Sequence, residues 1–207
     1  MAVEKDFATA IFAPIFAESW AELPPVFRAH YANRPYSNDV TIVRGTMNVW
    51  LSFPVRLVAP LLRLTGTLVP RVGKEVAVTV KFCSETDSNV FRFEREFVFP
   101  DGQSHCFISR MQPVGCNQVV EWTDSGIGWH AAYSYREGKV SLNHLGYRLR
   151  LFGRVFRLPS RWLFGEAGAH ETVIDEKSFS MRMQIRHPLF GELYCYGGRF
   201  ELVREQA

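Results

Sequence analysis

The sequence predicts a mainly β (α+β) fold: a curved antiparallel sheet of about nine to ten strands, closed into a barrel or half-barrel, with N-terminal helices packed on it. Three observations carry that expectation. Between Glu75 and Tyr135 apolar residues recur at alternate positions, the period of a strand with one buried face. Clusters of turn formers interrupt the alternation about every ten to twelve residues, which suits a meander of hairpins rather than βαβ units. Aromatic residues make up 14% of the chain, with 17 Phe, enough to pack a sheet around an apolar interior. A chain of 207 residues is expected to form one domain, 1–207, with a helical segment at 5–30 and a β-rich body at 40–203.

Taken in order, Asp6 to about Trp20 follows the helical period through Phe7, Ala10, Ile11, Ile15 and Glu18, with Pro14 expected to kink or break it. Leu23-Pro24-Pro25 punctuates the chain, and Val26 to His30 begins a second helical turn. Val40 to Val49 reads as the first strand, in which Arg44-Gly45 permits a bulge or the close approach of another backbone. Trp50 to Val69 is the most apolar stretch. Pro54, Arg56, Pro60 and Arg63 argue against a membrane span, which needs about twenty largely uncharged residues. The spacing instead gives a helix with Phe53, Leu57, Leu61 and Leu64 on one face and Arg56 and Arg63 on another. Such a helix packs on the sheet, covers a cavity as a lid, or lies in a membrane interface.

In the meander, Val76, Val78, Val80 and Phe82 share a face, as do Phe91, Phe93, Phe97 and Phe99. Ser84 to Asn89 and Pro100-Asp-Gly102 make the turns between these strands and the next. His105–Met111, Asn117–Trp122 and Gly128–Tyr135 complete the set of five. Lys139–His144 and Tyr147–Leu151 give further strand-like runs, and Ser160 is placed near the N-cap of a short helical turn. Two clean strands finish the chain, Ser178–Arg186 and Glu192–Val203, joined by the turn His187–Gly191.

Arg95 breaks the pattern, because its register with Phe91, Phe93, Phe97 and Phe99 points it into the apolar face. A guanidinium there must be paired, since desolvating it alone costs about several kcal/mol. Three outcomes satisfy this: a β-bulge that returns Arg95 to solvent, a buried pair with Glu121 on a neighbouring strand, or an anchor for a carboxylate or phosphate in a cavity.

The net charge is +3, yet residues 40–74 and 139–165 together hold eleven Lys or Arg and no acid. Such asymmetry points to an anionic partner: lipid headgroups at a membrane surface, a phosphorylated ligand or nucleic acid. Nucleic acid is disfavoured, because 24 basic residues are nearly matched by 21 acidic ones. Four dispersed cysteines and an N-terminus carrying Glu4 and Asp6 suggest a reduced, cytoplasmic setting without a secretory leader, membrane-peripheral if the basic stretches meet lipid. The six histidines show none of the usual ligand spacings; His170-Glu171 offers two ligands without an evident third. No phosphate loop, dinucleotide fingerprint or nucleophile elbow is present, so no cofactor is expected and no catalytic residue is assigned. A hydrolase would need Ser109, Glu121 and a histidine in contact.

The chain resembles the bacterial family of unknown function DUF4166. The likeness rests on Leu23-Pro-Pro-Val-Phe-Arg-Ala-His30, Arg44-Gly45, Phe93-x-Arg95-x-Phe97, Ser109, Glu121, Leu158-Pro159, Pro188-Leu-Phe-Gly191 and Tyr196-x-Gly198, in order along nearly the whole chain. Phe93 stands where the family has tryptophan. The resemblance implies no known activity; its relatives, attached to saccharopine-dehydrogenase-like NAD-binding domains or to membrane segments, hint at lipid or membrane metabolism by analogy. It singles out His30, Arg95, Ser109, Glu121 and Tyr196 as candidate ligand-binding residues.

The functional expectation is therefore a binding module for a small apolar or amphipathic ligand in a β-lined cavity, with Phe, Met and Trp on the walls. The alternative is a structural or protein-interaction domain with a filled core, and behind it an enzyme using polar groups in the same pocket. The oligomeric state is not legible.

Overall fold

The structure is a computed structural model that describes residues 9–60, 62, 68–158, 162 and 164–203. The expected helix start at Asp6 and Phe7, the positions Leu61, Arg63 and Leu64, and the Ser160 cap lie outside the described residues.

Ten antiparallel strands close into a barrel. In chain order the elements are α1 (Ala13–Phe16), a 3₁₀ turn (Ala17–Trp20), α2 (Pro25–His30), β1 (Val40–Leu51), α3 (Phe53–Leu57), β2 (Gly73–Ser84), β3 (Phe91–Val98), β4 (Ser104–Gly115), β5 (Gln118–Thr123), β6 (Ile127–Arg136), β7 (Lys139–Leu151), β8 (Arg154–Leu158), β9 (Glu166–Val173), β10 (Ser178–His187) and β11 (Gly191–Val203). Strands β1 to β7 pair in sequence, β7 pairs with β9, and β10 and β11 return the sheet to β1. Closure leaves no free edge among these ten, which removes the exposed ladder an open sheet would present. Strand β8 stands outside the cylinder and pairs only with the distal part of β7.

The alternation read from the sequence places the side chains as expected. Val76, Val78, Phe91, Phe97 and Phe99 are all at most 3% exposed. Gly45 and Gly198 lie where β1 and β11 approach closely: a Cβ on either would meet the backbone oxygen of Arg199 or Thr46. The close approach, and not a bulge, is thus the reason for glycine at 45.

Several expectations need correction. Pro14 lies in the first turn of α1, where its missing N–H costs nothing, so it starts a helix rather than kinking one. The helix expected over 50–69 starts only at Phe53, because Trp50 and Leu51 are still paired in β1; α3 ends at Leu57, and Ala59, Pro60 and Leu62 are again helical. The two runs around Gly146 are one strand, β7, in which Leu145 is skipped by the pairing to β6 and Gly146 takes φ +140°. Strands β8 and β9 were not anticipated as elements.

The two ends of the barrel differ. At one, the N-terminal helices form a plug: Phe12, Phe27, Leu23 and Val26 are at most 1% exposed. Phe12 meets Tyr31, Phe91 and Tyr133 with ring centroids 4.8, 5.2 and 5.4 Å away. Burying each such ring contributes about 1.5–3 kcal/mol. The other end carries α3, the β7–β8 hairpin and the β10–β11 turn, and we call it the mouth.

Candidate functional site

The inward faces of β3, β4 and β5 bring three of the candidate residues together on a diagonal. Arg95 Nη2 donates to Glu121 Oε1 at 2.7 Å, Arg95 Nη1 donates to Ser109 Oγ at 2.9 Å, and Ser109 Oγ donates to Glu121 Oε1 at 2.6 Å. The register of β3 with both neighbours is unbroken, so the bulge that would have returned Arg95 to solvent is absent. The guanidinium lies over the rings of Phe93 and Phe107, 4.6 and 4.9 Å from their centroids. Burial opposes its charge most, but the Glu121 carboxylate together with Tyr196 and Tyr133 outweighs that penalty and holds Arg95 above its ordinary range. The pair is buried on both sides, at 12% and 13% exposure.

A second polar group lies toward the plug. Tyr31 Oη donates to Glu171 Oε2 at 2.6 Å, and His30 Nε2 stands 3.6 Å from Glu171 Oε1. His30 is 1% exposed and packs against Phe82 and Phe179, and its Nδ1 has no hydrogen-bond partner. Burial first, and then the Glu171 charge, push the Tyr31 and Tyr133 hydroxyls well above the usual phenol range, so both stay protonated donors.

Among the described residues, two cavities lie within the barrel. The inner one, about 80 Å³, touches His30, Tyr31, Arg95, Glu121, Glu171 and Tyr196. The larger one, about 300 Å³, fills the mouth half, with Phe107, Trp129, Met183, Leu193, Tyr194 and Val55 of α3 among its walls. Glu121, Trp129, Met183 and Tyr196 contribute to both. Glu121 is the one charged side chain of the larger cavity among the described residues, and its partner Arg95 neutralises it. Tyr196 is 7% exposed, and burial pushes its hydroxyl up while Arg95 works against the shift. The structure therefore joins Arg95, Ser109 and Glu121 directly, puts Tyr196 at the junction of the cavities, and places His30 in the plugged half.

The Ser109 hydroxyl proton is committed to Glu121, and His30 faces Glu171 instead, so no serine–histidine–acid relay forms among these groups. His170 and Glu171 are neighbours on a strand and point to opposite faces: Glu171 lines the inner cavity, and His170 lies with Arg182 and Cys195 on the outer wall. Among the described residues no group of three metal-ligating side chains exists.

Sequence reasoning did not name Tyr31 or Tyr133 as site residues and weighed Glu171 only as a metal ligand beside His170. Glu171 had a signal: it shares parity with Ala167 and Ala169, which turn inward on β9. The expectation that phenylalanines would line the hollow also needs refinement. Of the β3 ladder, Phe93 reaches the inner cavity, and Phe91 is spent on the plug.

Around the mouth, apolar side chains face solvent. Phe53 is 73%, Phe152 93% and Phe190 70% exposed, on α3, the β7–β8 hairpin and the β10–β11 turn respectively. Arg56, Arg150 and Arg154 lie among them; Arg56 Nε donates to the Leu51 carbonyl, and Arg150 stacks over Trp122. Arg71, from the first basic stretch, is paired with Asp101. Among the described residues no helix is long and apolar enough to cross a membrane.

Comparison with known proteins adds the following. The crystal structure of Rv2717c from M. tuberculosis aligns with 91% of this chain and 99% of that one, at 16% identity and a TM-score of 0.43. The dehydratase domain of PpsC from Mycobacterium tuberculosis in complex with C12:1-CoA aligns with 91% of this chain and 84% of that one, at 8% identity and a TM-score of 0.21. Likeness at these scores carries no argument about function. No curated protein matches the chain. The family profile described as "Domain of unknown function (DUF4166)" matches residues 23–200, which takes in both cavities, the Arg95–Glu121 pair and α2 of the plug, and the chain belongs to that family.

Proposed function

We propose that this protein is a binding module for an apolar or amphipathic molecule, lipid-like in character, held in the mouth half of the barrel. The observation that supports this reading is the cavity of about 300 Å³, with hydrocarbon walls and one charged group that is already neutralised. Small-molecule sites fall between about 300 and 1,000 Å³ and combine such walls with a few placed polar atoms. Here those atoms are the Glu121 carboxylate and the hydroxyls of Tyr194 and Tyr196. Each Å² of apolar ligand surface removed from water favours binding by about 25 cal/mol, before the entropy of association is subtracted. Arg95 and Ser109 hold Glu121 in place, and Arg95 is not free to serve as a bare anion anchor.

The rim supports a further part of the reading. Exposed aromatic side chains interspersed with Arg56, Arg150 and Arg154 suit a surface that rests on anionic lipid, with the cavity opening toward it.

Native mass spectrometry and organic extraction of the purified full chain test the binding role. The expected result is a copurifying apolar molecule and saturable uptake of a fluorescent C18 fatty acid, both lost in Leu193→Trp, which fills the cavity. A ligand-free protein that takes up no alkyl compound would favour the alternative, a structural or protein-interaction domain, for which the filled plug half speaks. Cosedimentation with phosphatidylcholine vesicles with and without phosphatidylglycerol tests the rim: binding should require the anionic lipid and weaken in Phe152→Ser, and no difference between the vesicles would contradict it.

A further inference from the structure

We infer that the outer wall of the barrel carries an oxyanion site, built from Arg148 and Arg157 and suited to a phosphate group, separate from the cavity in the mouth. Arg148 on β7 and Arg157 on β8 are direct cross-strand partners. Like charges placed opposite each other destabilise a strand pair, so the arrangement calls for a compensating anion. Among the described residues neither arginine is paired with a carboxylate, and Arg148 Nε is buried without a hydrogen-bond partner.

The cleft in which they lie, about 660 Å³, also includes Gln118, His130, His144 and Glu166. Arg148 Nη2 lies 3.2 Å from His130 Nδ1, and because a guanidinium only donates, Nδ1 must be the acceptor. His130 is then neutral, with its proton on Nε2, which donates to Gln118 Oε1 at 2.9 Å. Burial, and then the charges of Arg148 and Arg157, hold His130 below its ordinary range, consistent with that tautomer. Gln118 and His130 thus form a buttress that fixes the Nη2 edge of the Arg148 guanidinium and leaves Nη1, with the exposed Arg157 across the strand pair, to a ligand. Preorganised arginine forks of this kind match the paired oxygens of phosphate. Glu166 is the carboxylate of the cleft; it has its own partner, and its charge reaches His144, whereas His130 feels the arginines. Two positive charges and a neutral ring at one end of the cleft therefore suit a dianion such as a phosphate monoester.

The site does not depend on the barrel cavity holding a ligand, and its test is separate. Inorganic phosphate titrated into the full chain should bind saturably by calorimetry and raise the pKa of His130 seen by NMR, because a bound anion offsets the field of the two arginines. Gln118, His144, Arg148 and Arg157 are the groups that face His130 in that titration. Arg157 is exposed, so Arg157→Met should preserve the fold while weakening phosphate binding about tenfold or more; Arg148→Met should do the same where it folds. Phosphatidylcholine vesicles with and without phosphatidic acid distinguish the source of the phosphate. If Arg157→Met reduces binding to the phosphatidic acid vesicles, the group is a lipid headgroup; if it reduces only inorganic phosphate binding, the ligand is soluble. Equal phosphate binding by the wild type and Arg157→Met, or a His130 pKa indifferent to phosphate, would overturn the proposal.

Discussion

The plugged end and the mouth are made from the same ten strands and similar residues, yet they have opposite characters. At the plug, aromatic side chains from α1 and α2 reach into the barrel and use up the inward faces of β3 and β6. At the mouth no equivalent segment among the described residues enters the cylinder, inward side chains of β5, β6, β10 and β11 border a hollow, and phenylalanines on α3 and the connecting turns face water. Buried apolar contact is concentrated where the interior is filled, and the space the proposed ligand would take lies where it is not. Between them lies the Arg95–Ser109–Glu121 diagonal, which satisfies a buried charge at the boundary.

Substitutions should separate the ends cleanly. Phe12→Ala should destabilise the protein by about 3–5 kcal/mol in denaturant unfolding, whereas Phe152→Ala at the mouth should change it by no more than about 0.5 kcal/mol. Equal costs at the two sites would erase the distinction. At the boundary, Glu121→Ala strands a buried guanidinium and should cost about 3–5 kcal/mol. Arg95→Met, which replaces a cation with hydrocarbon, should cost clearly less when combined with Glu121→Met. A double variant as unstable as Glu121→Ala alone would mean that the pair itself, and not the stranded charge, carries the stability.

Much of this architecture was legible in the chain. Period-two alternation located β2 to β6, β10 and β11, because their inward positions are large and apolar. The same parity pointed Arg95 inward but left a bulge, a pair with Glu121 and an anion anchor all open; the unbroken register and the 2.7 Å contact decide for the pair. Strand β9 escaped because its inward positions are Ala167, Ala169 and Glu171, too small or too polar to mark a buried face. The choice between barrel and half-barrel stayed open with it, since the contact between β7 and β9 completes the cylinder. The division of the interior into plug and hollow depends on how far α1 penetrates, a tertiary fact that no local pattern encodes.

Smaller effects come from acid. Asp39, near the plug, is held at about 2 chiefly by its hydrogen bond to Arg34. Its unfolded value is higher, so it contributes stability above about pH 4 that is lost as pH falls toward 2. His130 and His144 on the outer wall are lowered chiefly by burial. On acidification the unfolded chain takes up those protons first, so stability declines as pH drops below about 6.5 toward their lower folded values. Thermal unfolding against pH should show both windows, with Asp39→Asn flattening the lower and a His130→Gln, His144→Asn double variant the upper. A wild-type curve flat between pH 7 and 5 would contradict the upper assignment.

The most direct test of the hollow mouth is a titration of the full chain with a fluorescent C18 fatty acid, comparing wild type with Leu193→Trp. Saturable binding by the wild type, lost in a variant of unchanged melting temperature, is the expected result. Equal uptake by both proteins, or none by either, would contradict a binding cavity in the mouth of this barrel.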